Sequence, residues 1–168
     1  RALNKDLAEI KITELPVTKD PWTKANNVLW RNQPIPKKWP DTLKSFFLDL
    51  MTMFEPINDV YQIIHGDLGG NILFHETLKP LVIDFSPTIA PAKYAEAILV
   101  CDSIAWAGHR LECLSLLGDL MEYRPYIQRA IVFRALVVAF TKDRSWEEII
   151  GEWNGYEKLW SLLEEVKS

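Results

Sequence analysis

Hydrophobic residues recur along this chain with two different periods. Over 41–54, Leu43, Phe46, Phe47, Leu50, Met51 and Phe54 share one face of a 3.6-residue repeat, a spacing no strand produces. Asp41 is the expected cap of that helix. Leu3, Leu7 and Ile10 predict a helix within 1–11. Trp22, Ala25, Val28 and Leu29 predict another to about Arg31, with Asp20 as N-cap and Pro21 in the first helical position. Between 61 and 85 the pattern shortens. Ile63-Ile64, Ile72-Leu73-Phe74 and Leu81-Val82-Ile83 are brief apolar runs punctuated by Gly and Pro, and they read as small strands. Residues 75–80 join the last two as a hairpin. Only a short turn at 56–59 separates the 41–54 helix from the first strand, so that helix is expected to pack directly behind the loop that follows the strand.

Pro87 and Pro91 frame a further loop, with Thr88 a candidate pocket wall, and then the helical period returns. Lys93 to Trp106 is apolar nearly all round and predicts a buried central helix. His109 to Leu117 reads as a helix stopping near Gly118, and Pro125 to Thr141 as a long one. Ser145-Trp146-Glu147-Glu148 and Asn154-Gly155-Tyr156-Glu157 both resemble a capping box and predict two short C-terminal helices. The proline-bearing stretches Thr13–Asp20 and Gln33–Pro40 are connectors. The expected fold is α+β and mainly helical, a single domain over 1–168 in which a small β-hairpin carries the loop.

That loop, His65-Gly66-Asp67-Leu68-Gly69-Gly70-Asn71, is too glycine-rich to be core, which places Asp67 and Asn71 at an exposed lip. Asp84 arrives at the end of a strand and can converge on the same spot. Two acids and an amide on strand ends form a hard-oxygen cluster suited to magnesium. Asp102 stands out inside an apolar helix, where a buried carboxylate needs hydrogen bonds. The alternative is that it faces solvent beside Arg110 or Lys93.

Composition narrows the function classes. The 168 residues have room for a sizeable core, and 19 basic against 23 acidic residues give a net charge of −4. A nucleic-acid binder would carry a basic stripe, and none is visible. The apolar run from Ile131 to Phe140 is broken by Arg134 and is too short to span a membrane. Cys101 and Cys113 sit among apolar residues without metal or disulfide spacing, which fits a reducing, cytoplasmic compartment. His75 and His109 lack partners at metal-binding spacing and are expected at the surface. No signal peptide is expected, and a start at Arg1 rather than Met suggests a piece of something longer.

His65-Gly66-Asp67-Leu68 with Asn71, followed by Ile83-Asp84-Phe85, resembles the catalytic segment of the aminoglycoside phosphotransferase-like branch of the protein-kinase-like fold. The run from Ser86-Pro87 through Pro91-Ala92-Lys93-Tyr94-Ala95-Glu96-Ala97, with Asp102 and Trp106 beyond, is similar to an uncharacterised actinobacterial subgroup of that superfamily. Two features depart from the pattern: many relatives have one more residue between the loop Asp and Asn, and Ser86 stands where protein kinases have Gly. The resemblance implies transfer of a phosphoryl group from ATP to the hydroxyl of a small-molecule substrate. Asp67 would be the base, Asn71 and Asp84 the Mg2+ ligands. His65 would support the loop from below, and Asp102 would accept bonds from the loop's backbone N–H groups. Gly66 is the first glycine of the chain, so nothing upstream can form a Gly-rich phosphate loop. The nucleotide-binding lobe is therefore expected to be absent. A catalytically inactive kinase-like binding or scaffold module is the alternative, and an unrelated helical interaction domain would require Asp67, Asn71 and Asp84 to lie far apart.

Overall fold

The computed structural model describes residues 1–11, 19–30, 33–141 and 145–165. In chain order they form α1 (Ala2–Ala8), α2 (Pro21–Trp30), α3 (Asp41–Thr52), β1 (Tyr61–His65), β2 (Ile72–Leu73), β3 (Leu81–Val82), β4 (Pro87–Pro91), α4 (Ala92–Ala105), a 3-10 helix (Leu111–Leu116), α5 (Leu120–Phe140) and α6 (Trp146–Glu165). The protein is α+β and mainly helical, with two small two-stranded antiparallel sheets.

The core is built around α5, which is buried at every position from Tyr123 to Val137 except Arg129. Helices α2, α4 and α6 pack on it. This helix starts earlier than the sequence pattern suggested. Pro125 reads as a first helical residue, but the cap is Asp119, whose Oδ1 accepts the Met121 amide at 2.9 Å. Pro125 therefore sits inside the helix and forgoes a hydrogen bond to the carbonyl of half-exposed Met121. Helix α6 runs unbroken through Asn154-Gly155, because Ile149, Tyr156, Trp160 and Leu163 continue one buried face. The Ser145 box is real: the Ser145 amide donates to Glu148 at 2.8 Å and the Glu148 amide to Ser145 Oγ at 3.2 Å.

Helix α2 starts as its sequence indicates, with the Thr23 amide and hydroxyl both donating to Asp20 at 2.8 Å. Ala25, Val28 and Leu29 face inward, whereas Trp22 is exposed. The expected end at Arg31 and most of the Thr13–Asp20 connector lie outside the described residues. In α1 only Leu7 of the three apolar residues is buried, and Ile10 falls beyond the helix, exposed. Asp41 is the first residue of α3 rather than its cap, and its carboxylate pairs with Lys44 at 2.7 Å. Within 109–117 only Leu111–Leu116 is helical, as a 3-10 helix, and the chain turns away at Gly118 with a backbone φ of +103°.

Two expectations about the sheet region change. Pro87–Pro91 is a strand, not a loop: β4 pairs antiparallel with β1 in the register Ile63↔Ile89 and Ile64↔Thr88. Both prolines sit at strand ends, where a missing N–H is tolerated. Thr88 is thus a sheet residue beside Gly66. Helix α3 does not lie behind the loop either. Its Phe46 packs edge-on against Trp146 and Trp153 of α6, and Phe47 meets Trp39. An aromatic face of that size is buried best among other aromatic rings, and these belong to α6 and the 33–39 segment.

Candidate functional site

The chain leaves β1 through His65, turns through Gly66–Gly70 and returns along β2, while β3 brings Asp84 back beside the turn. His65 is fully buried under this loop. Its Nδ1 accepts the Asp67 amide at 3.1 Å, so the ring proton is on Nε2, which points to the Ile83 carbonyl at 3.4 Å. One imidazole thereby ties the start of the loop to the strand that delivers Asp84. The Phe85 ring closes over it edge-on, 5.4 Å between centroids.

Asn71 staples the other end. Its amide donates to the Leu68 carbonyl at 3.0 Å and its side-chain Nδ2 to the Asp67 carbonyl at 2.8 Å. Its own carbonyl accepts the Ile83 amide at 3.0 Å. Gly70 provides the positive φ, +77°, that the bend requires. Asp84 also has a positive φ, +49°, alone among the described non-glycine residues. Aspartate tolerates this region better than most side chains, yet the conformation is sparsely populated and marks a position under constraint.

Beneath the loop lies a buried ionic network that spans three helices. Arg134 of α5, 3% exposed at its side chain, donates from Nη2 to Asp67 Oδ1 at 2.7 Å and from Nε to Asp102 Oδ1 at 3.0 Å. It also bonds Asp102 Oδ2. Tyr156 of α6 donates to Asp102 Oδ1 at 2.9 Å, and the Trp106 ring stacks 4.6 Å from the guanidinium. Burial pushes the Asp102 carboxyl up, and the bonds from Arg134 and Tyr156 work against it by favouring the ionised form. Burial works to lower the Arg134 guanidinium, but the Asp102 and Asp67 carboxylates outweigh it and push it up. Burial, with Asp102 alongside, likewise pushes the Tyr156 hydroxyl up.

Asp102 is therefore buried, as one sequence expectation had it, but its partners differ. It bonds side chains of α5 and α6, not the loop's backbone N–H groups, and touches the loop only as a wall against Gly69. Lys93 and Arg110, the alternative partners, pair instead with Asp59 and Glu122, and with Glu112. Arg134 is the residue that sequence reading passed over. Its signal was present in the one charge interrupting an apolar run, since a cation on a helix buried all round needs an acid to face.

Asp67 and Asp84 line one cavity of about 440 Å3, together with Gly66, Phe85, Trp22 and Asn26 among others. Asn71 is bonded to the Asp67 backbone but does not line it. With Oδ1 held by Arg134, Oδ2 of Asp67 remains for a ligand. Among the described residues no three His, Cys, Asp or Glu side chains gather to hold a metal by themselves. The carboxylates that line the cavity are hard oxygen donors of the kind magnesium takes, an ion that keeps waters and draws much of its shell from substrate phosphates. Cys101 is buried, which pushes its thiol up and away from reactivity, and His75 and His109 are exposed. Among the described residues no helix is long and apolar enough to cross a membrane.

Neither family models, curated proteins nor solved structures give a match to this chain.

Proposed function

We propose that this chain is the catalytic large lobe of a kinase-like phosphotransferase, which transfers the γ-phosphoryl group of ATP to the hydroxyl of a small molecule. The observation that carries the reading is the shared cavity: Asp67 and Asp84 line it together, on a loop that His65 fixes from below. Asp67 orients the hydroxyl and takes its proton on Oδ2 as the oxygen bonds to the γ-phosphorus and the bond to ADP breaks. Arg134 holds the other oxygen and so sets the carboxylate's direction. Asn71 and Asp84 are the residues that would hold Mg2+, which when bound neutralises charge on the phosphates. Gly66 lines the cavity beside Asp67 without a side chain to fill it.

A binding module without chemistry is the second reading. What favours it is Arg134, which occupies one of the two oxygens of the would-be base. Calorimetric titration of this chain, and of any longer product of its gene, with MgATP separates the readings when paired with a screen of alcohols for phosphorylation. A phosphotransferase binds MgATP and loses transfer in Asp67→Ala by roughly 10²–10⁴-fold, the range for a general base. A binding module gives heat without product. Turnover that survives Asp67→Ala removes Asp67 from the mechanism.

A further inference from the structure

A second cleft, of about 630 Å3, opens between α2, the segment 33–39 and the C-terminal end of α5. That volume is ordinary for a small-molecule site. It shares α2 with the Asp67 cavity but lies on another face, lined by Lys24 and Val28 where the first is lined by Thr23 and Asn26. Among the described residues no Asp or Glu lines it, and the cations that do, Lys24 and Lys38, make no ion pair with any described residue. Lys44 and Lys93, by contrast, both meet carboxylates.

Part of the lining is aromatic and packed in place. Trp39 packs 4.8 Å from Phe140 and 5.8 Å from Phe47, centroid to centroid, and its amide closes a turn onto the Pro36 carbonyl at 3.0 Å. Neither lysine donates to the carbonyls of Val137 or Val138 near the end of α5. Those two are answered by the Thr141 amide, 3.1 Å from Val137 O and 3.0 Å from Val138 O, and the first also by the Thr141 hydroxyl.

Two ammonium groups with no carboxylate partner among the described residues, beside an aromatic wall, select for a ligand with a flat apolar body and a negative end. We propose that this cleft binds a planar aromatic anion, its ring against Trp39 and Phe140 and its anionic group toward Lys24 and Lys38. This site is independent of the phosphotransferase reading, since none of its residues lines the Asp67 cavity.

The test is calorimetric titration at low salt with 2-naphthoate and with 2-naphthyl phosphate, which distinguish a carboxylate from a phosphate ligand. The expected result is saturable one-to-one binding of at least one of them, weakened tenfold or more in the Lys24→Gln/Lys38→Gln double variant and unchanged in Asp67→Ala. Neutral 2-naphthalenemethanol is expected to bind at least tenfold more weakly. Both lysines reach solvent, so the double variant keeps the wild-type circular dichroism. Absence of saturable heat with both anions, equal binding of the alcohol, or wild-type affinity in the double variant would each overturn the proposal.

Discussion

A guanidinium that leaves water must find hydrogen-bond acceptors for what it gives up, or the helix that carries it does not pack. Arg134 finds them in Asp102 and Asp67, and Asp102 finds the rest of its own in Tyr156. Removing one member leaves the others buried without a partner, whereas replacing the pair by apolar groups removes both costs. Arg134→Met is therefore expected to lose about 3–5 kcal/mol of unfolding free energy. Arg134→Met combined with Asp102→Leu should lose clearly less than the single change. Urea melts of the two variants check this, and a double variant no more stable than the single one would show that the network contributes little. The same reasoning marks what could be read from residues alone. Asp67 follows from a glycine-rich loop and Asp84 from the end of a strand, whereas the place of His65 beneath the loop came with the resemblance. The link from Asp67 to Arg134 crosses 67 positions and needs the fold.

Elements were legible where a local signal was strong and misplaced where two signals competed. Asp20-Pro21 and Ser145-Trp146-Glu147-Glu148 each put a side-chain acceptor at a helix start, and both helices start there. Asn154-Gly155-Tyr156-Glu157 has the same lettering, but the buried face of α6 runs through it and tertiary packing overrides the cap. Strand β4 was hidden by its two prolines, which read as loop until β1 is placed beside them. Ser145→Ala should therefore cost about 1 kcal/mol, and Asn154→Ala should cost little, both measured by thermal unfolding.

The junction between α3 and β1 carries a pH dependence. Burial works to raise the Asp59 carboxyl, but the Tyr126 hydroxyl at 2.8 Å, the Val60 amide and the Lys93 ammonium outweigh it and hold it below its ordinary range. A depressed carboxyl binds fewer protons folded than unfolded, so its contribution is present above the unfolded value of roughly 3.9 and is lost as pH falls through the depressed one. About a third of the side chain is exposed, which keeps the effect at or below about 1 kcal/mol. Asp59→Asn should be less stable than wild type at pH 7, with the difference closing below about pH 4 in paired urea melts.

At the scale of the molecule, mainly helical α+β follows from the two hydrophobic periods, because helices of this length announce themselves by spacing. The placement of α3 did not follow, since chain proximity to β1 said nothing of where its aromatic face would find other rings. A surface property emerges only from the assembled whole. Leu73 and Leu81 face each other across the β2–β3 pair, and both are exposed, as are Phe74 (79%), Leu78 (68%) and Phe85. Apolar side chains scattered singly are ordinary, but several gathered on one short hairpin, next to the Asp67 cavity, form a patch that water leaves at a gain. Sulfate strengthens that drive by its exclusion from apolar surface. The Phe74→Ser/Leu78→Ser double variant should therefore precipitate at a higher ammonium sulfate concentration than wild type. Its unfolding free energy should stay within about 0.5 kcal/mol per substitution, because neither side chain contributes to the buried core. Identical salting-out curves would mean that the hairpin's apolar side chains do not act as one patch.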